Sequence, residues 1–286
     1  PAGTCTGRLA MAWRRVVADS PWADVCLAIA LNLAEPWLAH LIPQTVRPDP
    51  GQLLPLVVNG SSLFIRAAAH DHPIVEESVP LGLLLAFMAA CLALTLAASA
   101  AAPPASSAAR GPLTAAAAWL WAIALTSLLT DAAKRYVGRL RPNWYAGCGW
   151  SDSTHACSID FADGRHSFPS GHSSLSMAAG LSLTLYLRMI IDGRTLLAAD
   201  GAAAESAPLR RLLSALACVP WLLALCIAAS RVHDDWHFPS DVVAGSALGA
   251  SVASFAFHLY FPAVPPAPAR PLFEQEAGAN APHCCV

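Results

Sequence analysis

Lysine is almost missing from this sequence: of 17 basic residues, 16 are Arg and the single Lys is Lys134. Charge of either sign is scarce, at 13% of 286 residues, about half the share carried by a soluble domain. The net charge of -2 provides no basic field, which argues against nucleic acid as a partner. Nine cysteines are present, but no CxxC pair or Cys/His array has the spacing of a zinc site, so neither a metal nor another cofactor is expected. No internal repeat is visible. A cleavable signal peptide is not evident either, because the Arg-containing start leads into an interrupted apolar block without a small-residue cleavage site.

What the sequence does contain is apolar residue in long blocks, 56% of the chain. A helix needs about 20 such residues to span the hydrocarbon core of a bilayer. Five blocks meet that length: 80–102, 113–133, 169–191, 212–229 and 242–261. A sixth, 25–43, is interrupted by Asn32, Glu35, Pro36 and His40, and an interfacial or re-entrant segment is its alternative. The expectation is therefore an all-α polytopic membrane protein, a bundle of six transmembrane helices over residues 25–261. A segment at 1–24 precedes it, and a Pro-rich, disordered tail at 262–286 follows.

Six spans place both termini on one side, and they place the end of the third and fifth spans and the start of the fourth and sixth together on the other. Nine Arg fall on the terminal side (8, 14, 15, 110, 188, 194, 210, 211 and 270) and eight basic residues on the opposite side. Three of those eight, Lys134, Arg141 and Arg231, are assigned to chemistry below. Nine against five favours cytoplasmic termini and a lumenal or extracellular site. Asn59-Gly60-Ser61 is a glycosylation sequon on that outer side. Cys148 and Cys157 share one polar loop and would pair if it faces an oxidising compartment. Cys26, Cys91, Cys218 and Cys226 read as small buried residues of the apolar blocks, and Cys284 and Cys285 as weak candidates for palmitoylation.

Three stretches at the membrane boundaries carry chemistry. Lys134 to Pro142 leaves the third span, Pro169 to Ser174 opens the fourth, and Ser230 to Asp241 joins the fifth to the sixth. Lys134, Arg141 and Arg231 bring three cations to one face, where a phosphate dianion can meet a guanidinium fork and a flexible ammonium. Each alone also reads as ordinary basic flanking of a span. Ser170 and Gly171 stand where a helix begins and its first amides have no internal partner, so they can face an anion; a plain N-cap is the alternative. A phosphomonoester can be cleaved by one imidazole attacking phosphorus while another protonates the departing oxygen. His237 takes the first role and His172 the second. Asp241, four residues beyond His237, is placed to accept the other ring N–H. Asp131, three before Lys134, is a candidate partner for that ammonium. His233, Asp234 and Asp235 crowd the mouth, Glu35 and His40 either line a lipid entrance or face the bundle, and His155 and His166 read as loop residues.

These stretches resemble the three signature motifs of the type 2 phosphatidic acid phosphatase superfamily: Lys-x6-Arg-Pro, Pro-Ser-Gly-His and Ser-Arg-x5-His-x3-Asp. All three match without substitution and in order. The resemblance implies phosphate contacts from Lys134, Arg141, Ser170, Gly171 and Arg231, with His172 as acid, His237 as nucleophile and Asp241 as its orienting partner. The runs Val137 to Pro142 and Ser167 to Ser174 resemble the eukaryotic lipid phosphate phosphatase branch. That implies a metal-independent phosphatase for phosphatidate, lysophosphatidate or diacylglycerol pyrophosphate. Alternatives are a polyprenyl-diphosphate or sphingoid-base phosphatase, a lipid phosphotransferase, and a catalytically silent lipid-phosphate-binding membrane protein. The partners expected are the lipid phosphate and the bilayer; the sequence does not fix the oligomeric state.

Overall fold

A computed structural model describes residues 21–47, 55–58, 61–64, 67–101, 111–199 and 207–262. The Asn59 sequon, Cys284, Cys285, nearly all of the expected 1–24 segment and nearly all of the 262–286 tail lie outside the described residues. The chain folds as an all-α, multi-pass membrane protein. Helix α1 runs Pro21–His40, α2 Leu81–Ala100, α3 Pro112–Val137, α4 Trp144–Cys148, α5 Gly171–Ala199, α6 Ala207–Leu216, α7 Val219–His233 and α8 Pro239–Tyr260. Two antiparallel pairs, Pro55–Val58 with Ser61–Phe64 and Trp150–Ser151 with Ala156–Cys157, lie in the connections.

Five stretches are long and apolar enough to cross a bilayer: Leu81–Ala100, Pro112–Val137, Gly171–Gly193, Ala207–His233 and Pro239–Tyr260. They coincide with the five uninterrupted blocks of the sequence. The sixth expected span folds as α1, a 20-residue helix with Pro36 inside it, but it is not among these five. Two of its polar positions turn toward protein: Glu35 is buried, and the Asn32 amide donates to the Leu120 carbonyl at 3.2 Å. Tyr260 donates to Asp24 at 2.9 Å, tying α1 to the far end of α8.

The bundle is centred on α3 and α5. Leu84, Met88 and Cys91 of α2 meet Trp119 and Ile123 of α3, Ala178, Ala179 and Leu183 of α5, and Ile227 of α7. Elsewhere small residues allow helices to touch backbone to backbone, as expected where association in lipid depends on close packing. Gly249 of α8 leaves no room for a Cβ, which would overlap the Ser174 carbonyl of α5; at Gly245 the obstacle is the Ser170 carbonyl. The first turn of α5, which carries His172, is thus set against α8. Leucines such as Leu83, Leu85 and Leu94, together with Val243 and Phe255, face outward, where a bilayer satisfies them. Cys26 and Cys226 are also exposed, contrary to the buried reading, whereas Cys91 is buried. The outside of a membrane bundle is as apolar as its inside, so an apolar run does not say which face a small residue takes.

Helix α3 ends where Gly138 takes a left-handed conformation (φ 58°), open to residues without a Cβ. A Cβ there would also overlap the Thr45 carbonyl. The segment after α1 closes the helix end: Thr45 N–H and Oγ–H donate to the carbonyls of Arg135 and Tyr136 at 2.9 and 2.6 Å. The turn sends Arg139 and Arg141 back over the bundle. Beyond them Leu140, Trp144, Tyr145 and Cys148 form a small apolar cap, closed by a disulfide between Cys148 and Cys157.

Candidate active site

The three motif stretches meet in one cavity of about 370 Å³ at the end of the bundle. Lys134 and Arg141 from the end of α3, Gly171 and His172 from the start of α5, Arg231 from α7 and His237 from the α7–α8 turn all line it. Leu81, Leu84, Leu175 and Trp236 supply an apolar wall. Ser170 and Asp241 are fully buried behind this surface, the Ser170 N–H donating to the Asp241 carbonyl at 3.0 Å. Of the eight residues singled out by the sequence, six therefore face the cavity and two support it.

Gly171 lies so close to Lys134 that a Cβ on it would stand 3.1 Å from the ammonium nitrogen. The absence of a side chain lets the α5 amides and the Lys134 charge share one small space, an arrangement that suits an anion. Asp131 pairs with Lys134 at 3.4 Å. Arg141 is buried beneath Trp236, whose ring centre is 5.0 Å from the guanidinium carbon, and it pairs with Asp163 at 2.9 Å.

Arg231 is 1% exposed and held from two sides. Its Nε donates to Ser230 at 3.1 Å and its Nη2 to Asp234 at 2.6 Å. Asp234 in turn accepts from the Ser78 N–H and Oγ–H at 2.8 and 2.6 Å. Burial alone would raise the Asp234 pKa, but its hydrogen bonds with Ser78 and His233 and the Arg231 charge outweigh it and hold the pKa below its usual value.

His237 sits in a chain of contacts. Its Nδ1 is 2.7 Å from the Ser167 carbonyl, and a carbonyl only accepts, so Nδ1 carries the proton and Nε2 keeps its lone pair. The expected direct bond to Asp241 is not made: the nearer carboxylate oxygen lies 3.8 Å from Nδ1. Asp241 instead accepts from Ser167 Oγ at 2.6 Å, from the Phe238 N–H at 3.0 Å and from Arg139 at 2.6 Å. It thus holds Ser167, whose carbonyl the ring meets, and faces the ring itself only at 3.8 Å. Burial lowers the His237 pKa, while Asp241 pulls it upward; the net shift is downward, favouring the neutral imidazole. His172 Nε2 is buried and has no hydrogen-bond partner among the described residues.

Sequence reasoning missed Arg139, Ser167, Ser78 and Asp163. Arg139 and Ser167 lie inside or beside the motif stretches, yet nothing in the spacing distinguishes them from their neighbours. Ser78 comes from the connection between α1 and α2, far away in sequence. A second cavity of about 270 Å³ adjoins the first through Asp131 and Lys134 and is lined also by His40, Arg135 and His166.

The family model of the PAP2 superfamily matches residues 115–265. Lipid phosphate phosphatase 1 of Arabidopsis thaliana is 33% identical over 154 residues, covering 50% of this chain and 43% of that protein. Phospholipid phosphatase 1 of Rattus norvegicus is 34% identical over 152 residues, 49% of each chain. Diacylglycerol pyrophosphate phosphatase 1 of Saccharomyces cerevisiae is 34% identical over 163 residues, covering 52% of this chain and 53% of that one. The chain spans about half the length of the curated relatives it matches. No solved structure matches it significantly.

Proposed function

The chain belongs to the PAP2 superfamily, and from that premise we propose that it is a metal-independent lipid phosphate phosphatase acting on phosphatidate and related lipid phosphates, diacylglycerol pyrophosphate included. The observation that carries this reading is the 2.7 Å contact between His237 Nδ1 and the Ser167 carbonyl, in a cavity lined by Lys134, Arg141 and Arg231. It provides an unprotonated Nε2 beside three cations.

His237 Nε2 attacks phosphorus and the phosphorus–oxygen bond to the lipid breaks. The departing oxygen takes a proton from His172, leaving the lipid alcohol and a phosphohistidine. His172 then removes a proton from water, which attacks the phosphohistidine and releases inorganic phosphate. Lys134, Arg141, Arg231 and the first amides of α5 stabilise charge on the transferring group. Asp241 and Arg139 keep Ser167, and with it the imidazole, in place. The apolar wall of Leu81, Leu84, Leu175 and Trp236 offers a surface to a lipid entering from the bilayer. We place the site on the lumenal or extracellular face. The distribution of Arg supports that orientation, as does the Cys148–Cys157 bond beside the site, since such bonds persist in oxidising compartments.

Phosphate release from phosphatidate in mixed micelles containing EDTA tests the reading. The wild-type chain should release phosphate, and His237→Ala should lose that activity by about 10⁴-fold or more while remaining folded. Near-normal turnover by the variant, or a strict requirement for Mg²⁺, would overturn the mechanism.

A further inference from the structure

We propose that Glu77 is a resident counter-anion of the phosphate site, competing with phosphate for Arg231 and thereby limiting how tightly the product is held. The inference rests on the phosphatase reading above and concerns the same cavity.

Glu77 lies on a strap, residues 67–80, that crosses the mouth of the cavity and is docked along its length. The Ala67 N–H donates to the Tyr145 hydroxyl at 3.1 Å, and the His72 N–H to the Pro142 carbonyl at 3.2 Å. Trp236 Nε1 donates to the Val75 carbonyl at 3.1 Å. Ser78, next to Glu77, is fixed twice to Asp234. The strap's position is thus built by Tyr145 and by residues of the first and third motif stretches.

The carboxylate of Glu77 faces the cavity, with Oε2 3.6 Å from Arg231 Nη1. The other two nitrogens of that guanidinium are committed to Ser230 and Asp234. The two N–H groups of Nη1 and the second of Nη2 therefore remain for phosphate oxygens, and Glu77 stands beside Nη1. Since Asp234 and Ser230 already orient Arg231, the acid is not needed for that purpose. A phosphate dianion must push the Glu77 carboxylate aside or accept its repulsion, and either weakens binding.

That weakening has a use. Three cations around a small dianion bind substrate, product and transition state alike, and uniform binding of this kind does not raise kcat. Held too tightly, inorganic phosphate would also block the next turnover. A carboxylate opposing the bound dianion favours its departure once the phosphohistidine has been hydrolysed.

The test compares the full-length wild-type chain with Glu77→Gln and Glu77→Asp in detergent micelles. Equilibrium binding of radiolabelled inorganic phosphate is measured directly, beside product inhibition of phosphatidate hydrolysis and thermal unfolding. Glu77→Gln should bind phosphate about tenfold more tightly, with inhibition by phosphate strengthened to match and KM lowered more than kcat. Glu77→Asp, keeping the charge, should stay within about threefold of wild type. Unchanged or weaker phosphate binding by Glu77→Gln, with its unfolding temperature maintained, would overturn the proposal. If Glu77→Gln does not fold, Glu77 is structural and the proposal falls. Tighter phosphate binding in a protein that leaves phosphatidate intact would sink the substrate assignment and leave the counter-anion standing. Failure of the wild-type chain to bind phosphate would remove both readings.

Discussion

Replacing Asp241 by Asn separates two ways in which a carboxylate can serve a nucleophilic histidine. If Asp241 accepted the ring N–H directly, loss of its charge would favour the wrong tautomer and reduce kcat by about 10⁴-fold, as in a hydrolytic triad. Here the Ser167 carbonyl holds Nδ1 at 2.7 Å, and Asp241 stands 3.8 Å away. The tautomer therefore survives the substitution, and what is lost is electrostatic support for the positive charge that develops on the ring. Two unit charges 3.8 Å apart interact by about 4 kcal/mol at an effective dielectric constant of about 20. Arg139, 2.6 Å from the same carboxylate, cancels much of that field, leaving about 1–2 kcal/mol, or about a 5- to 30-fold loss in kcat.

The substitution also affects hydrogen bonding. Asp241 accepts from three donors, Ser167, Phe238 N–H and Arg139, and an Asn can present only one oxygen. The favourable placement keeps that oxygen on Ser167 and Phe238 and turns the amide toward Arg139, which is one-third exposed and able to swing into water. One buried donor mismatch of this kind costs about 1–3 kcal/mol of stability. Single-turnover phosphate release, read beside thermal unfolding, distinguishes the two losses. A drop of about 10⁴-fold in a folded Asp241→Asn protein would refute the relay through Ser167 and return Asp241 to direct contact with the ring.

The sequence points to the spans and to the candidate site for different reasons. Length and hydropathy define a helix that crosses lipid, so the five uninterrupted blocks reappear within a few residues as helical spans, the fourth of them broken between Leu216 and Val219. The block at 25–43 was ambiguous because Asn32, Glu35, Pro36 and His40 interrupt it, and the burial of Glu35 and the bond from Asn32 to Leu120 depend on packing against α3. That the eight candidate residues meet at one cavity was legible because motif spacing fixes their order along three helix ends. Their division of labour was not. Whether Asp241 touches His237 or Ser167 depends on where the chain before α5 passes, and that is set by packing of Gly245 and Gly249 against α5. Glu77 lies in the long α1–α2 connection, and no spacing rule relates it to Arg231; the docking of that connection, Ser78 on Asp234 included, brings the two together.

Two further predictions follow from that geometry. Because burial lowers the His237 pKa, the ring stays neutral and nucleophilic as pH falls through the ordinary imidazole value of about 6.5. The acid limb of kcat/KM, which reports the free enzyme, should therefore lie below that pH, and a midpoint at or above it would contradict the buried, carbonyl-held ring. The second concerns the packing that supports the site. Gly249→Ala forces a methyl group onto the Ser174 carbonyl, whereas Gly82→Ala meets nothing within 4 Å and serves as its control. Overpacking of this kind costs about 1–3 kcal/mol. The displacement of α8 from α5 should also reach the Ser170–Asp241 bond, so kcat should fall together with the unfolding temperature in Gly249→Ala and neither should change in Gly82→Ala. Loss of stability with kcat intact would show that the first turn of α5 holds His172 in place without its contact to α8.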